Sequence, residues 1–314
     1  MRIARAADRL VLLAALGVLA ATAAALAAKT WWIFDLFAHF KLQYAALLLV
    51  LTGALLALGR RRFAALTALC LLPNVWPLAA YWAAVAPASP AVAEVDRIKL
   101  MSVNVEWRNR SAARLLDMIR DEAPDAVLVV EYTAEWRERL GPIFADYPHR
   151  VELDGGRAFG IALLSRAPLK NVQPFKLEST PAIDATLVTA RGELLLIGVH
   201  LLPPTRAAWA AERARQLDAL AERAQRIDGA LAIAGDFNLS AYSPHFSGLL
   251  RTAGLRDSRA MPGITWPSFL PLLGIPIDHC IVSDEVGVAA FRRLPAFGSD
   301  HYPIVVELTV GSEA

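Results

Sequence analysis

The sequence predicts a mixed α/β sandwich preceded by about three transmembrane helices. Three observations lead there: charge is confined to one part of the chain, the charge-poor part holds three long apolar runs, and the rest alternates short β-rich runs with a few helical ones. Hydrophobic residues make up 56% of the 314 positions and charged ones 20%, against about 25% charged in an ordinary soluble domain. Residues 1–93 hold only ten charged side chains and the remainder holds 52. A single water-soluble globule is therefore excluded, as are a polytopic transporter and a disulfide scaffold, since only Cys70 and Cys280 occur. We assign residues 1–93 to a membrane anchor with linker and 94–314 to a single domain outside the bilayer.

The apolar runs are 10–28, 42–58 and 63–86, the last interrupted by Pro73, Asn74 and Pro77. About 20 helical residues cross a bilayer core. The first run could instead be a cleaved signal, given Arg2, Arg5, Arg9 and the small-residue pattern Ala25-Leu26-Ala27. Its 19 residues exceed the 7–15 of a signal's apolar region, which favours a retained helix. Arg2, Arg5, Arg9 and Arg60-Arg61-Arg62 face only Lys29 and Lys41 across the runs. The positive-inside rule then puts everything after the third helix outside the cytoplasm. The localisation expected is a bacterial inner (plasma) membrane, with the domain 94–314 on the periplasmic or extracellular side. Trp31, Trp32, Phe34, Phe37, His39 and Phe40 look like an interfacial aromatic belt in a short loop. Residues 87–93 read as a linker.

Beyond the linker, strand candidates are 98–105, 126–131, 160–165, 185–190, 194–201, 230–235, 277–283 and 304–308. Ser111 is placed to cap a helix over 112–121, and Thr205 one reaching about Arg226. Hairpin-length connections with so few long helices favour a mixed sandwich over a parallel doubly wound sheet.

Polar residues gather where those strands end. Asn104, Glu131 and His200 each close an apolar run, Asp236 and Asn238 stand in Gly235-Asp-Phe-Asn, Asp278 opens Asp-His-Cys-Ile-Val, and Asp300 and His301 stand in Gly298-Ser-Asp-His. Singly, each reads as a solvated edge residue or a turn. Together, so many polar groups against apolar strands would be costly unless they pair or bind a metal. Asp236 and Asn238, two apart, are expected to point the same way from an extended chain.

This set, with Gly156-Arg-Ala-Phe-Gly-Ile-Ala-Leu-Leu-Ser-Arg166, resembles the endonuclease/exonuclease/phosphatase superfamily, whose members include deoxyribonucleases of the DNase I kind, neutral sphingomyelinases and inositol polyphosphate phosphatases. The likeness covers about residues 97–310. It implies a four-layer α/β sandwich and Mg²⁺-dependent phosphoester hydrolysis, with Mn²⁺ an alternative ion. It also implies Glu131 as the chief metal ligand, with Asn104 and Asp300 completing or supporting the shell. Asp236 would orient or deprotonate the attacking water, Asn238 would hold it, and His301, polarised by Asp278, would face the phosphate beside a second imidazole, His200. Cys280 reads as a core residue, and nothing points to a phosphate-binding glycine loop or a zinc site.

The substrate is less legible. Residues 1–93 carry a net charge of +6 and the rest −4, so the part that would meet a substrate lacks the basic surplus of a nucleic-acid binder. The expected substrates are lipid or small phosphoesters; a surface nuclease acting on DNA or RNA is the alternative, and a non-enzymatic membrane scaffold comes third, because no site residue is missing. The segment 266–276 is apolar and precedes Asp278. It could be a loop buried on the sandwich or a lip facing lipid.

Overall fold

The computed structural model describes residues 2–84, 97–190, 192–259 and 263–310. The expected linker and the last residues of the third apolar run lie outside these. The chain divides into one unit of Met1–Ala84 with Ala241–Ser247 and another of Val85–Ser240 with Gly248–Ala314.

The first unit holds helices α1 (Arg2–Leu26), α2 (Trp32–Ala38), α3 (Lys41–Ala57), α4 (Arg61–Leu69) and α5 (Leu72–Ala84). The stretches Ala6–Leu26 and Arg61–Ala79 are each long and apolar enough to cross a membrane, and a third span results if α2 and α3, bent by 64°, are read as one. Two expectations change here. The presumed loop around Trp32 is a short helix, with His39 buried near Asp35 at 3.8 Å. The third run is broken between α4 and α5, just before Pro73, which lacks the N–H that a continuous helix needs. Small and branched residues, among them Ala15, Leu48, Leu51, Leu55 and Ala64, pack the helices together. Polar pairs fix them: Asn74 donates to Thr22 Oγ1 at 3.0 Å, the Thr52 and Thr67 hydroxyls meet at 2.8 Å, and Arg60 pairs with Asp8.

Among its described residues the second unit holds twelve strands. The first six are β1 (Ile98–Asn104), β2 (Ala126–Val130), β3 (His149–Leu153), β4 (Ile161–Ser165), β5 (Leu169–Leu177) and β6 (Thr180–Thr189). The others are β7 (Gly192–His200), β8 (Leu231–Asp236), β9 (Arg256–Asp257), β10 (Asp278–Val282), β11 (Val286–Arg293) and β12 (Ile304–Val310). They form two mixed six-stranded sheets, ordered β11-β12-β1-β2-β4-β3 and β5-β6-β7-β8-β10-β9. Alternate residues of the central strands explain the layers. Leu100, Leu128 and Val130 face Ala185, Leu196 and Ala234 in the core between the sheets. Met101, Val103, Val127 and Val129 point the other way, onto α6 (Ala112–Glu122) and α7 (Ala134–Leu140). The amphipathic α8 (Ala207–Ala224) buries Leu217, Leu220 and Ala224. The architecture is an α/β sandwich with helices outside the paired sheets.

Neither predicted cap is made. Ser111 caps α6 with no side-chain hydrogen bond, and α8 starts after Arg206 instead of Thr205. Cys280 is buried between the sheets, where desolvation, aided by Asp257, pushes its thiol up to about 12. It is a core residue with no thiolate chemistry at neutral pH.

Gly235, the penultimate residue of β8, has φ +139, and a Cβ there would run into the Val199 carbonyl. Only glycine lets β8 lie this close to β7 one residue before Asp236. Gly235→Ala is expected to cost about 2 kcal/mol or more, lowering the thermal midpoint by about 4 °C or more. Thermal unfolding of the purified chain checks this, and an unchanged midpoint would contradict it.

Candidate active site

The strands carrying the predicted residues all end at one rim. In the first sheet β1 runs parallel to β2 with Asn104 opposite Val130, so Glu131 follows one residue on. In the second, β7 runs parallel to β8 with His200 opposite Asp236, and antiparallel β10 begins with Asp278 opposite the same Asp236. Because β12 is antiparallel to β1, the turn before it brings Ser299, Asp300 and His301 to that rim as well.

Asn104 closes the rim. Its Nδ2 donates to Glu131 Oε1 at 3.0 Å and to Asp236 Oδ2 at 3.1 Å, joining the two sheets. Its Oδ1 accepts the Glu106 N–H at 2.9 Å, and its carbonyl accepts the Ser299 hydroxyl at 2.8 Å. Glu131 sits in left-handed backbone at φ 59, and its Oε2 accepts the Trp107 N–H at 3.0 Å. Such a conformation is rare outside glycine, asparagine and aspartate, and it is the kind of local strain that collects at functional sites.

His301 is buried between carboxylates. Nδ1 donates to Asp278 Oδ2 at 2.8 Å, while Nε2 lies 3.6 Å from Asp236 Oδ2 and 4.0 Å from Asp300 Oδ1. Burial works against a charged ring, but Asp278 and Asp236 outweigh it and push the His301 pKa up to about 10. The partner charge behaves reciprocally. Burial alone would raise Asp236, yet His301 and then His200 hold its carboxyl below the usual carboxylate range. His200 Nε2 is 3.5 Å from Asp236 Oδ2. Its Nδ1 is buried without a hydrogen-bond partner, and the Phe159 ring packs on it at 5.1 Å.

Asn238 lacks the extended backbone expected of it. The strand stops at Asp236, whose Oδ1 accepts the Asn238 N–H at 2.8 Å, and Asn238 turns into left-handed backbone at φ 48. This local turn replaces the extended geometry on which a shared direction rested. Its side-chain amide donates to the Leu201 carbonyl at 2.9 Å, and Arg213 holds its own carbonyl.

The donor chemistry fits a hard divalent cation. Burial raises the Glu106 pKa, and the nearby negative charges of Asp300 and Glu131 raise it further, against the lowering effect of the Asp300 N–H. A bound cation would relieve that crowding, and carboxylate oxygens are what Mg²⁺ takes. Asp236, Asp278 and His301 also bring three donor atoms within 4.8 Å of one another. There, however, the hydrogen-bonded imidazole already sits between the carboxylates. Asn104 aims its amide nitrogen at Glu131 and Asp236, while its oxygen accepts the Glu106 N–H.

Sequence reading missed three residues here. Glu106, two residues after Asn104, accepts the Asp300 N–H at 3.2 Å. Trp266 Nε1 donates to Asp300 Oδ2 at 2.9 Å. Arg259, fully buried, holds the Asp278 carbonyl. The usable signals were the spacing of Glu106 from Asn104 and the place of Trp266 at the start of the apolar segment just before Asp278.

With metal removed, His301 is expected to stay protonated through neutral pH. Its folded pKa lies above the free imidazole value of about 6.5. The stability it contributes is therefore fully present below about pH 6.5 and lost as pH rises towards 10. Asp278→Asn should lower the titration midpoint by about one pH unit or more. Histidine NMR of chelator-treated protein reads this, and an unmoved midpoint would break the pairing.

The family model described as Endonuclease/Exonuclease/phosphatase family matches residues 101–301. Among solved structures, D. rerio TDP2 complexed with single strand DNA product is similar with TM-score 0.58 and 17% identity, over 68% of this chain and 99% of that one. The endonuclease/exonuclease/phosphatase from Beutenbergia cavernae gives 0.57 and 19%, over 69% and 72%. Sphingomyelinase C from Streptomyces griseocarneus gives 0.52 and 14%, over 67% and 99%. At these identities the likeness is one of fold. No curated protein matches the chain.

Proposed function

The chain belongs to the endonuclease/exonuclease/phosphatase family, and we propose that it is a membrane-anchored, extracytoplasmic, Mg²⁺-dependent phosphoesterase of lipid or small-molecule substrates. Residues 94–314 form the catalytic domain and 1–93 the anchor. The observation that carries the reading is the convergence of Asn104, Glu131, Asp236, Asp278 and His301 on one rim, linked across both sheets by hydrogen bonds.

Glu131, with Asp300 and Glu106, would hold the ion, and Asn104 would orient Glu131. When bound, the ion supplies charge neutralisation at the phosphate and at the leaving oxygen. Asp236, ionised and braced by Asn104, orients a water and accepts its proton as the water oxygen attacks phosphorus; the ester P–O bond breaks and the departing oxygen takes a proton from solvent. His301, held protonated by Asp278, donates to a non-bridging phosphate oxygen and stabilises the charge that grows there. His200 flanks Asp236, and the Asn238 turn fixes that carboxylate's other oxygen.

Glu131→Ala and His301→Ala are each expected to lower kcat by about 10²–10⁴-fold. Chelation should abolish activity and Mg²⁺ restore it. Activity that survives both substitutions would remove this site assignment. Offered headgroup-bearing liposomes and DNA, the chain should act on the first; cleavage of DNA alone would transfer the reading to a surface nuclease. For orientation, a reporter active only outside the cytoplasm and fused after Ala314 should be active, and an expressed but silent fusion would reverse the topology.

A further inference from the structure

The apolar segment ahead of Asp278 is exposed. Phe269 is 75% exposed, Leu270 44%, Leu272 86% and Leu273 51%. Among the described residues of the sandwich unit, the only other large apolar side chain so exposed is Val172. Residues 263–277 contain no charged side chain. Soluble surfaces rarely concentrate apolar groups this way without a partner.

The loop is also firmly mounted on the site. Its base is closed by Trp266 and Ile275, whose backbones exchange hydrogen bonds at 3.1 and 2.6 Å. Its tip is a 3₁₀ turn over Pro271–Leu273. Ser268 donates its N–H to the Asp300 carbonyl at 2.7 Å and its hydroxyl to the Ser299 carbonyl at 2.6 Å. Tyr302 donates to the Ser268 carbonyl at 3.0 Å, and the Trp266 indole reaches Asp300 Oδ2. The apolar tip and the turn bearing Asp300 and His301 are thus one mechanical piece.

We propose that residues 267–273 form a bilayer-docking lip that seats Phe269, Leu270, Leu272 and Leu273 among lipids and presents the site to headgroup phosphoesters. The substrate half of this inference rests on the phosphoesterase reading above. Two observations favour a bilayer as occupant. The chain carries two or three helices apolar and long enough to cross a membrane, so a lipid surface is continuously at hand for a tethered domain. The catalytic part has a net charge of −4, so electrostatic attraction to anionic lipids is not what would hold it down, whereas an uncharged apolar tip can.

The test uses the full chain carrying Cys70→Ser, since Cys280 is buried and unreactive, in nanodiscs of phosphatidylcholine and phosphatidylglycerol. An environment-sensitive dye is placed on Leu272→Cys or, for reference, on Val172→Cys. Lipids bearing doxyl quenchers should quench the dye at 272 about threefold or more beyond that at 172. Equal quenching overturns the proposal. So does a dye at 272 that is shielded yet unquenched, which would place a protein partner or a second copy on the loop.

A second arm measures turnover. The double substitution Phe269→Ser with Leu272→Ser, or Leu272→Ser alone if the double variant does not fold, should reduce hydrolysis of a bilayer-borne headgroup phosphoester about tenfold. Hydrolysis of soluble bis(p-nitrophenyl) phosphate should stay unchanged. An equal fall on both substrates overturns the docking role. If the unsubstituted chain hydrolyses neither, the phosphoesterase reading fails, and the quenching result alone still decides whether the lip docks.

Discussion

The Asn104 side chain is the constraint on which the rest of the site depends. One amide nitrogen donates both to Glu131 in its own sheet and to Asp236 in the opposite sheet. Its oxygen and its carbonyl are held by the Glu106 N–H and the Ser299 hydroxyl. Two carboxylates drawn from different sheets would repel one another at such separations. A donor shared between them holds both at one position on the rim despite that repulsion. The imidazole of His301 extends the same logic, because the carboxylate that holds it also keeps it cationic.

The topology makes that arrangement accessible. Each sheet contains one parallel pair, β1 with β2 and β7 with β8, whose carboxyl ends deliver Asn104, Glu131, His200 and Asp236 together. The antiparallel neighbours β10 and β12 start where those strands finish, so Asp278, Asp300 and His301 arrive from the opposite chain direction. Hydrophobic packing between the sheets sets their spacing, and the polar rim draws its residues from both.

How much of this the sequence revealed follows the burial pattern. All eight strands anticipated from the sequence are present. The four that escaped notice, β3, β5, β9 and β11, are the four sheet edges. The reason is physical: an edge strand such as β5, with Lys170, Asn171 and Gln173 exposed, lacks the continuous apolar run that marks a strand buried on both faces. The site residues were visible because each abuts such a buried run. Glu106 and Trp266 lie in loops, where a carboxylate or an indole carries no pattern, and only the fold brings them to Asp300. The turn at Asn238, made by its N–H on the Asp236 side chain, cannot be read from spacing in an extended chain.

The buried polar pairs of the helical unit have a bearing on what sequence changes it can absorb. Asn74 meets Thr22 across 52 positions, and Thr52 meets Thr67 across 15. One added residue rotates everything beyond it by about 100° around the helix axis. A single insertion between Thr52 and the end of α3, or within α1 before Thr22, would swing one partner out of reach and strand an amide or hydroxyl in an apolar setting. Apolar exchanges that keep the phase would leave both pairs intact. The helices are thereby locked in register more tightly than in composition, and a generic hydrophobic leader of similar length could not simply replace them.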